Sequence, residues 1–256
     1  MNETDAYDEW IVPTFRRMIN LEKLSLHLLI QCQRRFIDGN TLKDNFLSHI
    51  PQLKDFVFDI RSIVQLDEGE FDLQSDEEIQ STLTDLTTHQ TITYVDHFHE
   101  EGNAHCHFYT YPSLLIKYQY LSNRFQGELL ENVQRVELFD ERPFELTFFM
   151  RIAQSFPSMK TLRVTNRTPQ QEKQDHQLSN EKQRLPIIRY RSLQKLILLR
   201  VHDDYLEQFL FDTKTIFSND LRLCCYEDQL KRVTNNFMRE ETKVNYSKVK
   251  SFDWCV

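Results

Sequence analysis

The chain has 256 residues, of which 40% are hydrophobic and 12% aromatic, enough to bury a core in one elongated domain or two compact ones. Its formal net charge of -8 argues against a nucleic-acid partner, because such proteins usually carry a basic stripe. The five cysteines predict no disulfide framework, and because no apolar run is long enough to cross a bilayer we expect a cytoplasmic or nuclear protein with no membrane partner.

The chain begins with a short amphipathic stretch. Residues 1–20 are predicted to form an N-terminal cap, in which Trp10, Val12 and Phe15 belong to one apolar stripe. The stripe either packs on the element that follows or forms a separate docking helix. We favour packing, since most amphipathic stripes face a core.

A short apolar pattern then recurs along the chain. An apolar-x-x-apolar-x-apolar triplet describes a strand that buries every second side chain and is entered through one more apolar residue, the unit of leucine-rich repeats. Two weaker units begin at Asn103 and Ser218. The triplets are Leu21-Leu24-Leu26, Leu53-Phe56-Phe58, Val133-Val136-Leu138, Met159-Leu162-Val164, Leu193-Leu196-Leu198 and Val249-Phe252-Trp254.

Helical spacing is found between several triplets. Residues 41–50 and 144–156 each carry an apolar stripe and end before a proline, Pro51 or Pro157, which predicts two similar helices. Ser75 is a predicted N-cap for a helix over 76–86. Further helices are predicted over 114–125, 205–211 and 227–237, and the polar segment 166–190 is predicted to be a mobile loop.

A histidine cluster is the sharpest candidate for metal chemistry. His97 and His99, like His105 and His107, are spaced so that a strand would project each pair to one face, and a hairpin between the pairs could gather four nitrogen ligands around Zn²⁺. Standard zinc spacings are absent, so the favoured expectation is no metal. In that interpretation Cys106 and Phe108 face the core, while the second histidine pair and Tyr109 line an exposed face.

Four segments resemble the degenerate leucine-rich-repeat region of F-box/leucine-rich-repeat proteins: Leu21 to Leu26, Phe36 to Gly39, Ile50 to Leu53 and Arg151 to Val164. The resemblance implies one α/β domain over 1–256, a right-handed solenoid or horseshoe with a mainly parallel sheet on the concave face and helices on the convex face. It also implies client recognition for a ubiquitin-ligase adaptor. No F-box segment is recognised, so that role needs an F-box supplied elsewhere, and the regular asparagine three residues after each strand is replaced, for example by Glu141 and Arg167.

The sequence favours a binding function over catalysis. It has only four glycines, none clustered as phosphate loops require, and no recognised nucleophile motif, so neither a cofactor nor an enzyme activity is expected. We predict a non-enzymatic protein–protein interaction module that binds a protein client through the concave face; the alternatives are that these side chains are covered by neighbouring loops, or that the chain is a compact α/β enzyme of unknown reaction. The predicted face comprises Lys23, Ser25, His27, Asp55, Asp59, His105, His107, Tyr109, Arg135, Glu137, Phe139, Arg163, Lys195, Ile197 and Leu199.

Overall fold

The computed structural model describes residues 7–66, 71–171, 186–218 and 220–254. The chain divides into two compact units, Met1–Ser113 and Leu114–Val256, each with its own sheet. Within the described ranges, no helix combines the length and the apolar character that crossing a bilayer requires.

The first unit is built on a four-stranded mixed sheet. Its strands lie in the order β1-β2-β4-β3, with β1 parallel to β2 and β4 antiparallel to both of its neighbours. The elements are a π-helical turn (Tyr7–Ile11), α1 (Val12–Arg16), β1 (Lys23–Cys32), α2 (Gly39–Asn45), a 3₁₀ turn (Leu47–His49), β2 (Asp55–Gln65), α3 (Asp76–Leu83), β3 (Gln90–Phe98) and β4 (Asn103–Tyr111).

Local signals set the helices of the first unit. The Ser75 hydroxyl oxygen accepts a hydrogen bond from the backbone N–H of Glu78, and the backbone N–H of Ser75 donates one to the Glu78 carboxylate, so the predicted cap is confirmed as a capping box. The Asp38 side chain caps α2 by accepting from Thr41 N at 2.7 Å. The core of the unit includes Leu26, Phe58 and Phe108. Leu26 on β1 is opposite Phe58 on β2, and Phe108 on β4 lies on the same face of the sheet, opposite Ile60.

The second unit contains a six-stranded sheet in which every pairing is parallel. Its strands lie in the order β12-β11-β9-β7-β6-β5, and a separate two-stranded parallel sheet joins β8 and β10. The elements are β5 (Lys117–Leu121), β6 (Arg135–Phe139), α4 (Leu146–Ser155), β7 (Thr161–Asn166), β8 (Ile188–Tyr190), β9 (Lys195–Val201), α5 (Asp203–Leu210), β10 (Thr215–Phe217), β11 (Leu221–Cys225), α6 (Glu227–Val233), a 3₁₀ turn (Glu240–Thr242), α7 (Lys243–Tyr246) and β12 (Val249–Trp254).

Successive strands of this sheet start at the same level. The backbone N–H of Gln134 donates to Ile116 O at 2.8 Å, Lys160 N to Gln134 O at 2.8 Å, Gln194 N to Lys160 O at 2.9 Å and Arg222 N to Gln194 O at 2.8 Å. Since each strand adds beside the one before it in the chain, the apolar residues of neighbouring strands stack in rows. Val136, Leu138, Leu162, Val164, Leu196, Leu198 and Leu223 are all at most 1% exposed and form one face of the core.

Two buried polar side chains bridge the turns that follow these strands. Asp140 accepts from Asn123 N at 2.8 Å and from Arg142 N at 2.9 Å. Asn166 donates to Arg142 O at 2.7 Å and accepts from Thr168 N at 2.9 Å. Asp140 and Asn166 lie two positions after the last apolar residue of their strands. Each is therefore one position before the site where a regular leucine-rich repeat carries asparagine, Glu141 or Arg167 here, and each satisfies backbone groups of the turn.

Several expectations from the sequence need correction. The triplets at Leu26 and Phe58 belong to the first sheet and those at Leu138 and Val164 to the second, so the expectation of one continuous sheet is wrong. The unit at Asn103 forms the antiparallel strand β4, because it pairs through a tight hairpin with β3, whereas the unit at Ser218 provides the parallel strand β11. The prediction that 1–256 form a single domain stays a prediction.

Two local predictions also fail. The helix predicted over 114–125 is wrong, because Lys117–Leu121 pairs as β5 with β6. The loop predicted over 166–190 is wrong at both ends, where Asn166 closes β7 and Ile188–Tyr190 forms β8; residues 172–185 lie outside the described residues. The helices expected over 144–156 and 227–237 are present as shorter segments, the one expected over 205–211 spans Asp203–Leu210, and the one expected over 41–50 is split into α2 and the 3₁₀ turn.

Candidate functional site

The predicted binding residues fall on two sheets. Those numbered up to Tyr109 lie on one face of the sheet of the first unit, and those from Arg135 onward lie on one face of the six-stranded sheet. On the first sheet, Lys23, Ser25 and His27 are exposed and Asp55 is half-buried, where it pairs with His89 at 3.0 Å. The expectation that His105, His107 and Tyr109 are exposed is wrong, since they are 3%, 4% and 0% exposed.

The buried part of this face contains a hydrogen-bonded polar network formed by Arg61, His107 and Asp59. The register places Arg61 opposite His107 and Asp59 opposite Tyr109 on β2 and β4. Arg61 Nη2 lies 2.9 Å from His107 Nδ1, and His107 Nε2 lies 2.6 Å from Asp59 Oδ1. Because a guanidinium can only donate, Nδ1 accepts, and the proton of the neutral ring therefore sits on Nε2 and points at Asp59. Sequence reasoning missed Arg61, although its i, i+2 spacing from Asp59 places both on one face.

Burial and the charge of Arg61 keep the imidazoles of His107 and His105 neutral. Burial and the adjacent Arg61 charge lower the pKa of His107 to about 4 against the opposing effect of Asp59, and burial, Arg61 and His107 lower the pKa of His105 to about 3. Burial alone would raise the pKa of Asp59, but the hydrogen bond from His107 and the neighbouring positive charges leave it below its usual value. At neutral pH the group thus holds one arginine and one carboxylate charge with neutral rings between and beside them.

Next to the polar network, Ser25, His27 and Asp59 follow one another in the order of a serine-hydrolase triad. Ser25 Oγ lies 3.4 Å from His27 Nε2, and His27 Nδ1 lies 3.5 Å from Asp59 Oδ2. Both distances exceed the ~2.6 to 3.2 Å of a working nucleophile–base pair. His27 is also half-exposed, so the arrangement lacks the enclosed setting in which such chemistry is strong.

The alternative zinc arrangement is wrong. The hairpin forms as expected, but Asp96 is opposite His105 and His97 is opposite Ala104, so the alternation of the strands sends His97 to the face away from His105 and His107. In the part of the chain that the structure describes, no group of three or more His, Cys, Asp or Glu side chains is placed to hold a metal ion. Cys106 and Phe108 face the core as predicted, both 0% exposed.

The six-stranded sheet presents the remaining predicted residues on its other, accessible face. Its first row runs across the strands as Lys117, Arg135, Thr161, Lys195, Arg222 and Ser251, and its second row as Glu137, Arg163, Ile197, Cys224 and Asp253. Arg135, Arg163 and Arg222 are exposed, and Ile197, Leu199 and Phe139 are half-buried. The structure thus brings Arg135, Glu137, Phe139, Arg163, Lys195, Ile197 and Leu199 onto one surface.

Sequence reasoning missed three charged contributors to this surface. Arg222 and Asp253 lie on strands whose triplets were weak or placed last in the chain, yet they continue the first and second rows. Lys117 was missed because its segment was predicted to be helical. Had the strand pattern been extended to the weak unit at Ser218, its alternation would have placed Arg222 on this face.

A cavity of about 400 Å³ lies in the second unit between α4 and the segment 186–192. Its lining combines apolar residues, among them Phe156, Met159 and Ile188, with polar ones such as Gln154 and Arg189. Among the described residues, no carboxylate or imidazole belongs to that lining.

Comparisons of the chain with protein-family models, with curated proteins and with solved structures found no match. The resemblance to F-box/leucine-rich-repeat proteins stays a prediction.

Proposed function

We propose that the second unit is a short leucine-rich-repeat-like solenoid and that the chain is a non-enzymatic module which binds a protein client through the accessible face of the six-stranded sheet. The observation that carries this proposal is the row structure of that face, where exposed arginines lie beside half-buried apolar side chains. Arginine and apolar side chains together are typical of interface centres.

The repeat lengths support the solenoid. Residues at the same level of successive strands, from Lys117 to Ser251, are separated by 18, 26, 34, 27 and 29 residues. The spacings of 26, 27 and 29 residues lie within the roughly 20 to 29 residues of a leucine-rich repeat, and those of 18 and 34 lie just outside that range. Helices α4, α5 and α6 each fall between two sheet strands, as the return leg of such a repeat requires.

The resemblance to F-box proteins extends the proposal to ubiquitin transfer. In that role the sheet face holds the client, and an F-box supplied elsewhere docks on the cullin-ligase adaptor. Affinity purification with mass spectrometry tests both parts, since it reports the client and the ligase subunits together. Recovery of a client without ligase subunits would keep the binding function and remove the adaptor role.

The face itself is tested by charge reversal. An Arg135→Glu/Arg163→Glu variant is expected to fold normally and to lose client capture in a pull-down, because both side chains are exposed and lie in adjacent rows. Arg167→Glu/Arg189→Glu is the matched control, with the same change of charge at exposed positions outside the two rows. Equal capture by both variants and the unchanged protein would exclude this face.

A hydrolase reaction at Ser25 is the second candidate, favoured by the Ser25–His27–Asp59 order alone. A fluorophosphonate probe decides it: the Ser25 oxygen would form a bond to phosphorus, fluoride would leave, and His27 would take the proton. We rank this candidate second because of the long distances. Labelling that disappears in Ser25→Ala would reverse the ranking.

A further inference from the structure

The accessible face of the six-stranded sheet carries most of its positive charge in one row. The first row contains Lys117, Arg135, Lys195 and Arg222 and no carboxylate. The second row adds Arg163 together with two acidic residues, Glu137 and Asp253. Five cations and two carboxylates on this face stand against a net charge of -8 for the whole chain, so the face is a local exception to the acidic character of the protein.

Three of these cations are available to a ligand. Lys117 pairs with Glu137 at 3.1 Å and Lys195 with Asp253 at 2.9 Å, which accounts for both carboxylates. Among the described residues, Arg135, Arg163 and Arg222 form no ion pair within 4 Å, and all three are exposed. Asp253 attracts Arg222 electrostatically, but exposed guanidinium groups without a direct ion pair favour a carboxylate or another planar anion, which they can bind in a bidentate manner.

The spacing of the charges fits an extended chain. The cations of the first row, from Lys117 to Arg222, extend across the five neighbouring strands from β5 to β11, a span of roughly 19 Å at about 4.8 Å per strand. An extended peptide of about six residues covers that span at ~3.3 Å per residue. Ile197 lies between Arg163 and Cys224 in the second row, so apolar contacts are available beside the charges.

We propose that this face binds an extended, acidic segment of a protein client, with carboxylates on Arg135, Arg163 and Arg222 and apolar side chains on Ile197 and Leu199. The inference rests on the proposed function and specifies its partner class. A nucleic acid fits less well, because Glu137 and Asp253 lie in the second row and would repel a continuous phosphate backbone, whereas a peptide can place its carboxylates over the arginines alone.

Selection from a random dodecapeptide phage library on the immobilised full-length chain tests the partner class. We expect the selected peptides to be enriched in Asp and Glu, and a synthetic fluorescent copy to bind more weakly as NaCl is raised. Arg135→Gln/Arg163→Gln/Arg222→Gln should weaken binding about tenfold or more. The matched control, Arg167→Gln/Arg189→Gln, should leave the affinity unchanged, with circular dichroism confirming that both variants are folded.

The outcomes separate this inference from the function on which it rests. Peptides without acidic enrichment that still bind, and are lost in Ile197→Asp, would overturn the acidic partner and leave the binding face intact. Failure to select any peptide would count against both. Tighter binding of a fluorescent single-stranded oligonucleotide than of the acidic peptide would also overturn the proposal.

Discussion

In the first unit the part of the sheet face that carries His105, His107 and Tyr109 is buried, whereas in the second unit the corresponding face carries exposed Arg135 and Arg163. The strands of both sheets alternate polar and apolar residues, so the sequence pattern does not distinguish the two polar faces. They differ in how charge is balanced. On the first sheet, Arg61 and Asp59 are joined through a neutral imidazole, while on the second sheet three arginines have no carboxylate within ion-pair distance among the described residues.

Charged groups that are paired within the protein, as Arg61 and Asp59 are through His107, stabilise a fold, whereas exposed cations without a direct ion pair are suited to binding. A buried charge must be paired and hydrogen-bonded, or the cost of removing it from water is not offset. An exposed guanidinium carries no such cost, and its hydrogen-bonding capacity remains open to a partner. Perturbing the first face should therefore change stability, and perturbing the second should change binding.

The largest effect is expected in the apolar core of the second unit. Phe149 is 0% exposed and its ring contacts those of Phe144, Tyr205 and Phe209. Phe149→Ala should lower the free energy of unfolding by about 3–5 kcal/mol, because the lost burial is added to the cost of a cavity. Urea denaturation measures it. Met238→Ala, at a side chain 70% exposed, is the control and should change stability by less than ~0.5 kcal/mol.

Acidification should break the charge balance of the first face. The folded pKa values of His107 and His105, about 4 and about 3, lie below the ordinary value of 6.5, so the unfolded chain takes up protons first as the pH falls. Stability is therefore full above pH 6.5 and falls on the order of a few kcal/mol as the pH drops through 6.5 toward 4. Asp59 adds a further loss below its ordinary value of 3.8, because its folded pKa is lowered.

Urea midpoints at neutral and mildly acidic pH check this sign. In His107→Gln the acid sensitivity should be reduced, since one of the two buried titrating groups is gone. His49→Gln, at an exposed histidine, should keep the sensitivity of the unchanged protein. A His107→Gln profile that runs parallel to that of the unchanged protein would contradict the neutral buried imidazole.

A smaller effect is expected where α2 approaches α3. Gly39 N donates to Thr82 Oγ1 at 2.8 Å, and a Cβ at Gly39 would overlap the Thr82 backbone carbonyl. Gly39→Ala should therefore cost about 1–3 kcal/mol through forced displacement of α3. Gly102→Ala tests a different cause, since Gly102 has φ of +64° and open space around it, and only backbone strain should be felt there. Equal stability of Gly39→Ala and the unchanged protein would show that the two helices separate easily.

The smallest effect on stability is expected at the exposed face of the second unit. Arg135→Glu/Arg163→Glu should change the free energy of unfolding by less than about 0.5 kcal/mol, since both side chains are exposed and neither forms an ion pair with another described residue. The same variant should lose client binding, which sharpens the contrast with the first face. Thermal denaturation beside the pull-down measures both quantities on one preparation; a large loss of stability would place these arginines in the fold and remove the contrast.

Much of the local structure follows from the sequence. The triplets place strands at Leu26, Phe58, Leu138, Val164, Leu198 and Phe252, because alternate burial along a strand leaves a period of two in the apolar residues. The capping box at Ser75 and Glu78 depends on residues three apart and is equally visible. The segment Lys117–Leu121 was predicted incorrectly, because the neighbouring Leu114, Leu115 and Tyr118 also match a helical spacing.

The positions of most strands and the apolar side of each follow from the sequence alone, because both depend on residues within a few positions of one another; Lys117–Leu121 is an exception. Which strands share a sheet depends on contacts between distant segments and is visible only in the folded structure. Alternation is the same for a parallel and an antiparallel strand, so it could not tell that Cys106 and Phe108 pair with β3 in a hairpin while Leu162 and Leu196 stack in parallel rows. For the same reason, the sequence could not distinguish buried His107 from exposed Arg163. Both are polar residues on the face opposite the apolar core, and their exposure depends on which other side chains cover that face.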